Sequence, residues 1–354
     1  MCPLSPGWLA FPLGSLPGTD PKAAWAAVLK HFPSIPGWPQ LPQRHVREDM
    51  YAQFADGFPG VRFDGHHLRV DRSAGAAPLL EALYLAYLED DPAYGRMDAQ
   101  SAAGLEALRQ GQVTLPPNVV ALKGQITGPV SWGLTVVDQN QRPVLYDEVL
   151  AEAVGKHLRL KAAWQERELA RLAPQTIMMI DEPYLASFGS ASVTLSRGLV
   201  IGLIEEVFAG LKGLKGIHCR GNTDWSILLS TSLDILSIDA YEYAESLAPY
   251  AADVTRFLER GGMIAWGIAP TGACVDNETV ASLVERLHAA FNLLVEKGVP
   301  LDRLLAAGFV TPACELGSQA PSLALRSMEM TYGVSLEMRR RYGLDSDEAA
   351  ASSS

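Results

Sequence analysis

The sequence predicts an α/β fold of the (β/α)8 TIM-barrel type, and three observations support this expectation. Short apolar runs alternate with longer amphipathic segments about eight times, as strands alternate with helices in such barrels. Hydrophobic residues make up 48% of the 354 residues and charged residues 19%, so the chain can bury a large core. Polar clusters directly follow the apolar runs, where barrels carry their sites. We expect one barrel domain over 1–344 and a disordered tail over 345–354, which is polar and small.

The composition argues against several kinds of partner. The formal net charge is −11, and no basic block offsets it, which speaks against nucleic acid or an anionic membrane surface. No apolar run approaches the roughly 18 residues of a membrane span, and the N-terminus lacks the pattern of a secretory signal. The four cysteines are widely scattered, which is typical of thiols in a reducing compartment. We therefore expect a cytoplasmic protein with a small-molecule ligand.

The first part of the chain contains the less regular elements. Trp8 to Gly14 predicts the first strand, and a glycine-proline turn follows it. Ser34 to Gly60 is rich in proline and aromatic residues, so it cannot form one long helix. We interpret this segment as the second strand followed by an irregular excursion. The excursion is either part of the site, as long ordered loops often are, or a cover that packs its aromatic side chains on the core. Phe63 to Val70 predicts a hairpin.

The remaining strands are predicted by apolar runs and the helices by apolar residues at helical spacing. Thr176 to Ile180 is apolar throughout, as in a parallel strand that is buried on both faces. The predicted strands cover 118–123, 176–180, 214–218, 233–238, 262–267 and 305–310, and the predicted helices cover 77–87, 101–110, 147–172, 197–208, 252–259, 279–296 and 322–342.

Candidate site residues stand at the ends of these predicted strands. They are Asp181 and Glu182, then His218 and Cys219, then Asp239 and Glu242, then Trp266, and finally Cys314. Two acids at the end of a buried strand are difficult to explain as a solvated charge run. His, Cys and carboxylate are the ligand types of zinc, and zinc would hold a substrate thiol as the nucleophilic thiolate. The alternative is a buried cysteine that acts as a small hydrophobe and a histidine bonded to a backbone carbonyl.

Taken together, these motifs resemble the cobalamin-independent methionine synthase family. Its wider superfamily includes uroporphyrinogen decarboxylase and corrinoid-dependent methyltransferases. The matching landmarks occur in the family's order over roughly residues 8 to 340, and they are Gly14-Ser15-Leu16-Pro17, Thr127-Gly128-Pro129-Val130, Asp181-Glu182-Pro183, His218, Asp239 and Thr311-Pro312-Ala313-Cys314. The likeness is to a stand-alone branch with a single barrel.

The resemblance implies a function and roles for these residues. The implied reaction transfers a methyl group to a zinc-activated thiol, as in methionine biosynthesis, with a corrinoid protein or a small methyl carrier as the donor. By resemblance, Gly14 and Ser15 hold the carboxylate of homocysteine. By the same resemblance, the acids Asp181 and Glu182 contact the substrate amine. Trp266, at the end of its predicted strand, is a further candidate for the substrate site. The implied catalytic residues and zinc ligands are His218, Asp239 and Cys314.

One departure from the family pattern concerns the metal. The family places a cysteine two residues after the histidine, on the same side of the strand, but this chain has Arg220 there. Cys219 fills the intervening position and is expected to point to the other side. A guanidinium beside zinc is electrostatically unfavourable unless an anion accompanies it. The metal site is therefore reduced to three ligands, recruits Cys219 or Glu242, or is lost.

A second departure concerns Arg44, which aligns with a glutamate that binds the amine in the synthases. Together with Arg220, it indicates an anionic substrate group such as a carboxylate or phosphate. The alternative is that Arg44 and its neighbour Arg47 form surface ion pairs with nearby acids. Two other functions stay open. One is a metal-free lyase like uroporphyrinogen decarboxylase, although that enzyme's N-terminal arginine motif is not found. The other is a degenerate, metal-free barrel that binds an anionic small molecule.

Overall fold

The computed structural model describes residues 4–64, 67–71, 75–189 and 194–344. The predicted tail over 345–354 lies outside these residues. The strands are β1 (Val61–Asp64), β2 (His67–Val70), β3 (Leu122–Thr127), β4 (Val137–Asp138), β5 (Thr176–Asp181), β6 (Leu214–Cys219), β7 (Ile235–Asp239), β8 (Met263–Ala269) and β9 (Gly308–Pro312). Six of them form a parallel sheet in the order β3-β5-β6-β7-β8-β9. The predicted hairpin is present as the antiparallel pair β1–β2, which joins β4 in a separate small sheet.

The helices alternate with the strands of the large sheet, which confirms the predicted α/β pattern. They are α1 (Pro21–His31), α2 (Ala77–Leu88), α3 (Ala103–Arg109), α4 (Pro129–Thr135), α5 (Glu148–Leu169), α6 (Arg197–Phe208), α7 (Trp225–Leu229), α8 (Ala240–Tyr243), α9 (Ala251–Glu259), α10 (Val280–Val295), α11 (Leu301–Ala306) and α12 (Pro321–Arg341). Several begin at polar N-caps. Asp20 caps α1, Asp147 caps α5 and Thr279 forms a capping box on α10.

Two irregular segments connect the outer strands of the large sheet. Ala10 pairs with Val310 on β9, Gly37 pairs with Lys123 on β3, and Ser15 pairs with Gln40 between the two segments. All three are isolated parallel bridges. The predicted first and second strands therefore lie beside the sheet but are not regular strands. Their prolines explain this, because a proline cannot donate a hydrogen bond to a neighbouring strand. The structure thus shows a curled, six-stranded parallel half-barrel.

The inside of the curl is filled by a small apolar cluster that contains strand and segment residues but no helix residues. Its buried members are Phe11, Ile35, Ala121, Ile177, Met179, Ile235, Met263, Ala265 and Phe309. The alternate residues of the same strands, such as Met178 and Ile217, belong to the larger cluster that packs against the helices. Since side chains on a strand alternate between its two faces, this division decides which site candidates point inward.

The excursion after the second segment packs on the core. Its aromatic side chains Trp38, Phe54 and Phe58 are buried, and Trp38 Nε1 donates to Gln165 Oε1 on α5 at 3.1 Å. Two short 3-10 turns, Val46–Glu48 and Ala52–Phe54, lie within it. Of the two interpretations drawn from the sequence, the structure therefore favours an aromatic cover.

The predicted bounds of two strands were wrong by three to four residues. The third covers Leu122–Thr127 rather than 118–123, because its polar inward residues Lys123, Gln125 and Thr127 make the end of the strand resemble a loop in the sequence. The last begins at Gly308 because Leu301–Ala306 folds as α11 instead. Across the described ranges, every helix is too short or too polar to cross a membrane.

Candidate active site

Inward-facing polar residues meet at the carboxyl ends of the parallel strands. The sheet register aligns Thr127 with Asp181, Asp181 with His218, and His218 with Ser237. Because these partners sit on adjacent strands and on the same face, their side chains form one polar row inside the curl. This position is where parallel α/β sheets carry their sites.

A buried lysine lies beneath this row. Lys123 is fully buried, and its ammonium donates to the carbonyl oxygen of Leu13 and, at 3.1 Å, to Gln125 Oε1. Burial lowers the lysine's pKa, and the nearby charges of Asp181 and Glu315 act in the opposite direction. The ammonium therefore lies close to two carboxyl groups without a direct ion pair to either.

The two carboxyl groups have unused hydrogen-bonding capacity. Asp181 is 7% exposed, and burial together with the charge of Glu315 raises its pKa well above the usual range. Glu315 binds Ser15 through Oε2, which accepts from Ser15 N at 2.6 Å and from Ser15 Oγ at 2.5 Å. Asp181 Oδ1 and Glu315 Oε1 are buried and have no hydrogen-bond partner among the described residues. Two such acceptors close together indicate that a ligand completes the cluster.

His218 points into the curl beside Asp181. It is 6% exposed, and its Nδ1 lies 3.0 Å from Ser237 Oγ. Burial, together with the charges of Lys123 and Arg220, lowers the pKa of His218 to about 3. The imidazole is therefore neutral at pH 7, and its other ring nitrogen, Nε2, is left to contact a ligand.

Arg220 occupies the position beside His218 and contacts the remaining predicted residues. Its Nε lies 3.4 Å from Asp239 Oδ2, and one terminal nitrogen lies 3.5 Å from Glu242 Oε2. The pKa of Arg220 is raised by Cys314, and further by Asp239 and Glu242, so the guanidinium lies near all three. Burial raises the pKa of the Cys314 thiol to about 11, and that of Asp239 to about 6. Cys314 is thus a neutral thiol at pH 7.

These side chains do not fit a zinc ion. Within the described ranges, no three His, Cys, Asp or Glu side chains are grouped so that they could hold a metal. The cation among Asp239, Glu242 and Cys314 is Arg220, and a second positive charge at the same point would be repelled. The structure brings the predicted set of His218, Asp239 and Cys314 to one region, with the Arg220 guanidinium near all three.

Cys219 faces away from the site, as strand alternation predicted. It is fully buried in the cluster that packs against the helices, and burial raises the pKa of its thiol far above the usual value. The suggestion that it joins the metal ligands is therefore wrong in this structure, and Cys219 behaves as a small apolar side chain.

Glu182 was predicted to contact the substrate, but the structure gives it another role. Its carboxylate accepts from Val130 N at 2.9 Å, Ser131 N at 2.8 Å and Ser131 Oγ at 2.6 Å. It therefore caps the start of α4, where unpaired backbone N–H groups favour a carboxylate. A Cβ on Gly128 would lie 2.2 Å from this carboxyl group, so glycine at that position leaves room for it.

Trp266 was predicted to line the substrate site, but its side chain lies on the other face of β8 from the polar row. Its neighbour Ala265 belongs to the inner cluster, so Trp266 points to the helix side. There its ring packs edge-on against Phe291 of α10, with 5.1 Å between ring centroids. The sequence alone could not reveal this, because β8 is apolar on both faces.

Arg44 was predicted to bind an anionic substrate group, and the structure places its guanidinium against groups of the protein itself. Its guanidinium donates to Glu48 Oε1 at 2.9 Å and to the carbonyl oxygen of Ala99 at 2.8 Å. Arg47 pairs with Asp56 at 2.6 Å. Both arginines therefore follow the alternative interpretation, in which they form ion pairs within the excursion.

Lys123, Glu315 and Ser237 were not identified from the sequence. Lys123 ends an apolar run, and a lysine there looks like the exit of a strand into solvent. Glu315 directly follows the predicted ligand Cys314, and a single acid beside that thiol gives no separate signal in the sequence. The alternation of Lys123, Gln125 and Thr127 with apolar residues was a usable signal, because polar residues at every second position indicate a polar inner face.

Comparisons with known proteins place the fold. No protein-family model and no curated protein sequence matches the chain. A solved B12-independent methionine synthase from Shewanella sp. W3-18-1, in complex with selenomethionine, aligns with a TM-score of 0.60 and 14% identity, covering 95% of this chain and 98% of that chain. A methyltransferase from Methanosarcina mazei aligns with a TM-score of 0.55 and 12% identity, covering 92% and 86%. At these identities the likeness shows a shared fold.

Proposed function

We propose that this chain is a methyltransferase-type enzyme that binds its small-molecule acceptor inside the curl of the sheet. The observation that carries this proposal is the cluster of Lys123, Asp181 and Glu315 beside His218, in which two buried carboxyl oxygens have no partner among the described residues. Such unpartnered buried groups cost free energy unless a ligand completes them. Methyl transfer as the reaction is supported by the names of the structures that share the fold, and by the resembling motifs in the sequence.

We further propose that the fold is a (β/α)8 barrel in which two of the eight members are irregular. The three parallel bridges of Ala10, Ser15 and Gly37 support this, because they link β9 to β3 through the two proline-rich segments. In such a barrel the two segments would close the wall between β9 and β3, and this wall would shield the Lys123 cluster from water.

We propose that the acceptor is a thiol and that the reaction uses no metal, with the following roles for the side chains. Asp181 and His218 position the acceptor, and Asp239 takes the proton of its thiol. Asp239 is suited to this because burial raises its pKa to about 6, close to neutral pH. The sulfur then forms a bond to the methyl carbon, and the donor leaves with the electron pair of the broken bond. The donor is a corrinoid protein or a small methyl carrier.

An assay of methyl transfer tests this function. The purified chain is incubated with homocysteine or cysteamine as the thiol and methylcobalamin or 5-methyltetrahydrofolate as the donor, and S-methylated product is measured by mass spectrometry. Asp239→Asn and Asp181→Asn are expected to reduce the rate at least 100-fold. Glu245→Gln, a change to an exposed carboxylate outside the cluster, is the matched control. Absence of product in every combination, with thiol binding intact, would contradict methyl transfer.

Arg220 favours a second candidate, a metal-free barrel that binds an anionic small molecule without turnover. Its side chain is 46% exposed, and its two ion pairs are long, at 3.4 and 3.5 Å. The guanidinium is therefore only loosely held and is accessible to a phosphate or carboxylate. Titration of wild type and Arg220→Gln with inorganic phosphate tests this candidate. Equal binding by both would remove its basis.

A further inference from the structure

Ser15 offers two hydrogen-bond donors to a carboxylate, and we call this position the Ser15 seat. Its backbone N–H and its hydroxyl both donate to Glu315 Oε2, and Gly317 N in turn donates to Ser15 Oγ at 3.1 Å. A backbone N–H and a hydroxyl aimed at the same oxygen are a strong arrangement for an anion. The anion that fills it is a side chain of this chain itself. The resemblance assigns Ser15 to a substrate carboxylate. In this structure Glu315 occupies the Ser15 seat, so that position is not free for a ligand.

The loop that delivers Glu315 is held tightly on this seat. A Cβ on Gly317 would lie 2.8 Å from Ser15 Oγ, and Gln43 Nε2 donates to the carbonyl oxygen of Gly317 at 3.0 Å. On the other side, a Cβ on Gly14 would lie 2.6 Å from Gln40 Oε1. The seat is thus closely surrounded, and a ligand carboxylate could enter only by displacing Glu315.

Among the described residues, this cluster holds more acceptors than donors. Lys123 is the one buried ammonium that they contribute to it, and that ammonium already donates to Leu13 and Gln125. Asp181 is 7% exposed. Among the described residues, neither Asp181 Oδ1 nor Glu315 Oε1 has a hydrogen-bond partner. Two carboxyl groups therefore face one lysine, and a second cationic donor would satisfy both free oxygens.

We propose that this site takes a primary amine that carries no carboxylate on the adjacent carbon, because Glu315 supplies the carboxylate that an amino acid would bring. The ammonium of the ligand lies between Asp181 Oδ1 and Glu315 Oε1 and completes the charge balance around Lys123. Glu315 is thus a specificity-determining residue. It binds the amine through one oxygen and excludes amino acids through the other. This inference rests on the proposed function only in placing the acceptor at this site.

The burial of Asp181 agrees with this assignment. Burial and the charge of Glu315 raise the pKa of Asp181, so without a ligand the cluster disfavours a negative charge on Asp181. An ammonium beside Asp181 would stabilise its ionised form. A ligand carboxylate at the same point would add a third negative charge and act in the opposite direction.

Binding measurements with matched thiols test the proposal. Isothermal titration calorimetry compares 3-aminopropanethiol with homocysteine, which has the same amine and thiol spacing plus a carboxylate. The wild-type chain is expected to bind the amine at least tenfold more tightly than the amino acid. Glu315→Ala empties the Ser15 seat, so it is expected to lose affinity for 3-aminopropanethiol and gain affinity for homocysteine. Equal or tighter wild-type binding of homocysteine, or no binding of either, would overturn the proposal.

Two further variants separate specificity from folding. Glu315→Gln keeps the shape and can still accept from Ser15, but it removes the charge, so amine binding should fall while homocysteine stays excluded. Glu245→Gln is the control and should behave as wild type in both titrations. Thermal unfolding of each variant shows whether the loop stays folded. If the amine preference holds but no methyl transfer occurs, the reaction is wrong and this specificity stands. If methylated homocysteine forms readily, the specificity is wrong and the reaction stands.

Discussion

Arg220 and Asp239 lie side by side at the ends of neighbouring strands, with 3.4 Å between Arg220 Nε and Asp239 Oδ2. In the family that the sequence resembles, a cysteine stands where Arg220 stands here. The pair places a positive charge where a metal ion would need its ligands to converge. Among the described residues, no three His, Cys, Asp or Glu side chains are grouped so that they could hold a metal ion, and the Arg220 guanidinium lies beside the candidate ligand Asp239.

Replacement of Arg220 by cysteine is expected to raise zinc affinity at least tenfold. The change removes a cation and adds a thiol on the same face of the strand as His218, near Asp239 and Cys314. Zinc content after equilibration with a competing chelator is the measurement. Arg220→Ser is the matched control, because it removes the charge without adding a thiolate. Wild-type protein that retains one zinc per chain under the same conditions would contradict the structure's arrangement.

Glu182→Gln is expected to lower stability without changing ligand affinity. The carboxyl group accepts three hydrogen bonds at the start of α4 through its two oxygens, whereas an amide has only one acceptor oxygen. The loss costs about 1–3 kcal/mol in the free energy of unfolding. Urea unfolding measures the loss. Glu285→Gln, a substitution of an exposed residue on α10, should change stability by less than about 0.5 kcal/mol. A large loss of acceptor binding with full stability would restore the substrate role predicted from the sequence.

The sequence predicted the parallel α/β pattern because strands buried on both faces are apolar and easily recognised. Thr176–Asp181 and Leu214–Cys219 extend the predicted runs by a single residue each. Strand alternation also separated the inward Arg220 from the outward Cys219, which the structure confirms. These results depend only on local periodicity, which a sequence displays directly.

The contacts that define the site were beyond the sequence because they join distant residues. Nothing near Glu315 indicates that it binds Ser15, which precedes it by 300 residues. The direction of Trp266 was equally hidden, since apolar residues flank it on both sides. Likewise, the sequence did not show that the Arg44 guanidinium contacts Glu48 and Ala99, because these contacts depend on how the excursion folds. Each error concerned long-range packing, which the pattern of one strand cannot specify.

Thiol labelling under native conditions is expected to distinguish the described cysteines. Cys274 is exposed and should react quickly with a disulfide reagent. Cys219 is fully buried, and burial raises the pKa of its thiol, so it should react only after unfolding. Mass spectrometry of labelled peptides assigns each site, and Cys274→Ser serves as the control for fast labelling. Rapid labelling of Cys219 in the folded chain would contradict its position between the sheet and the helices.

Lys161 on α5 should make stability rise with pH above about 8. It is 1% exposed, donates to the carbonyl oxygen of Arg96 at 3.2 Å, and burial lowers its pKa from 10.5 to about 8. Between these two values the folded chain has released a proton that the unfolded chain still holds. The free energy of unfolding therefore rises with pH in this window, by about 3 kcal/mol at most.

The measurement is urea unfolding from pH 7 to 10.5 for wild type, Lys161→Met and Lys297→Met. Lys161→Met removes the titrating group, so its difference from wild type should change steadily across the window. It also leaves the Arg96 carbonyl without its donor, which costs stability at every pH but adds no slope. Lys297 is exposed, and its replacement should leave the pH dependence of wild type unchanged. A parallel pH dependence in Lys161→Met and wild type would show that Lys161 keeps an ordinary pKa in the folded chain, and hence that water reaches its ammonium beside α5.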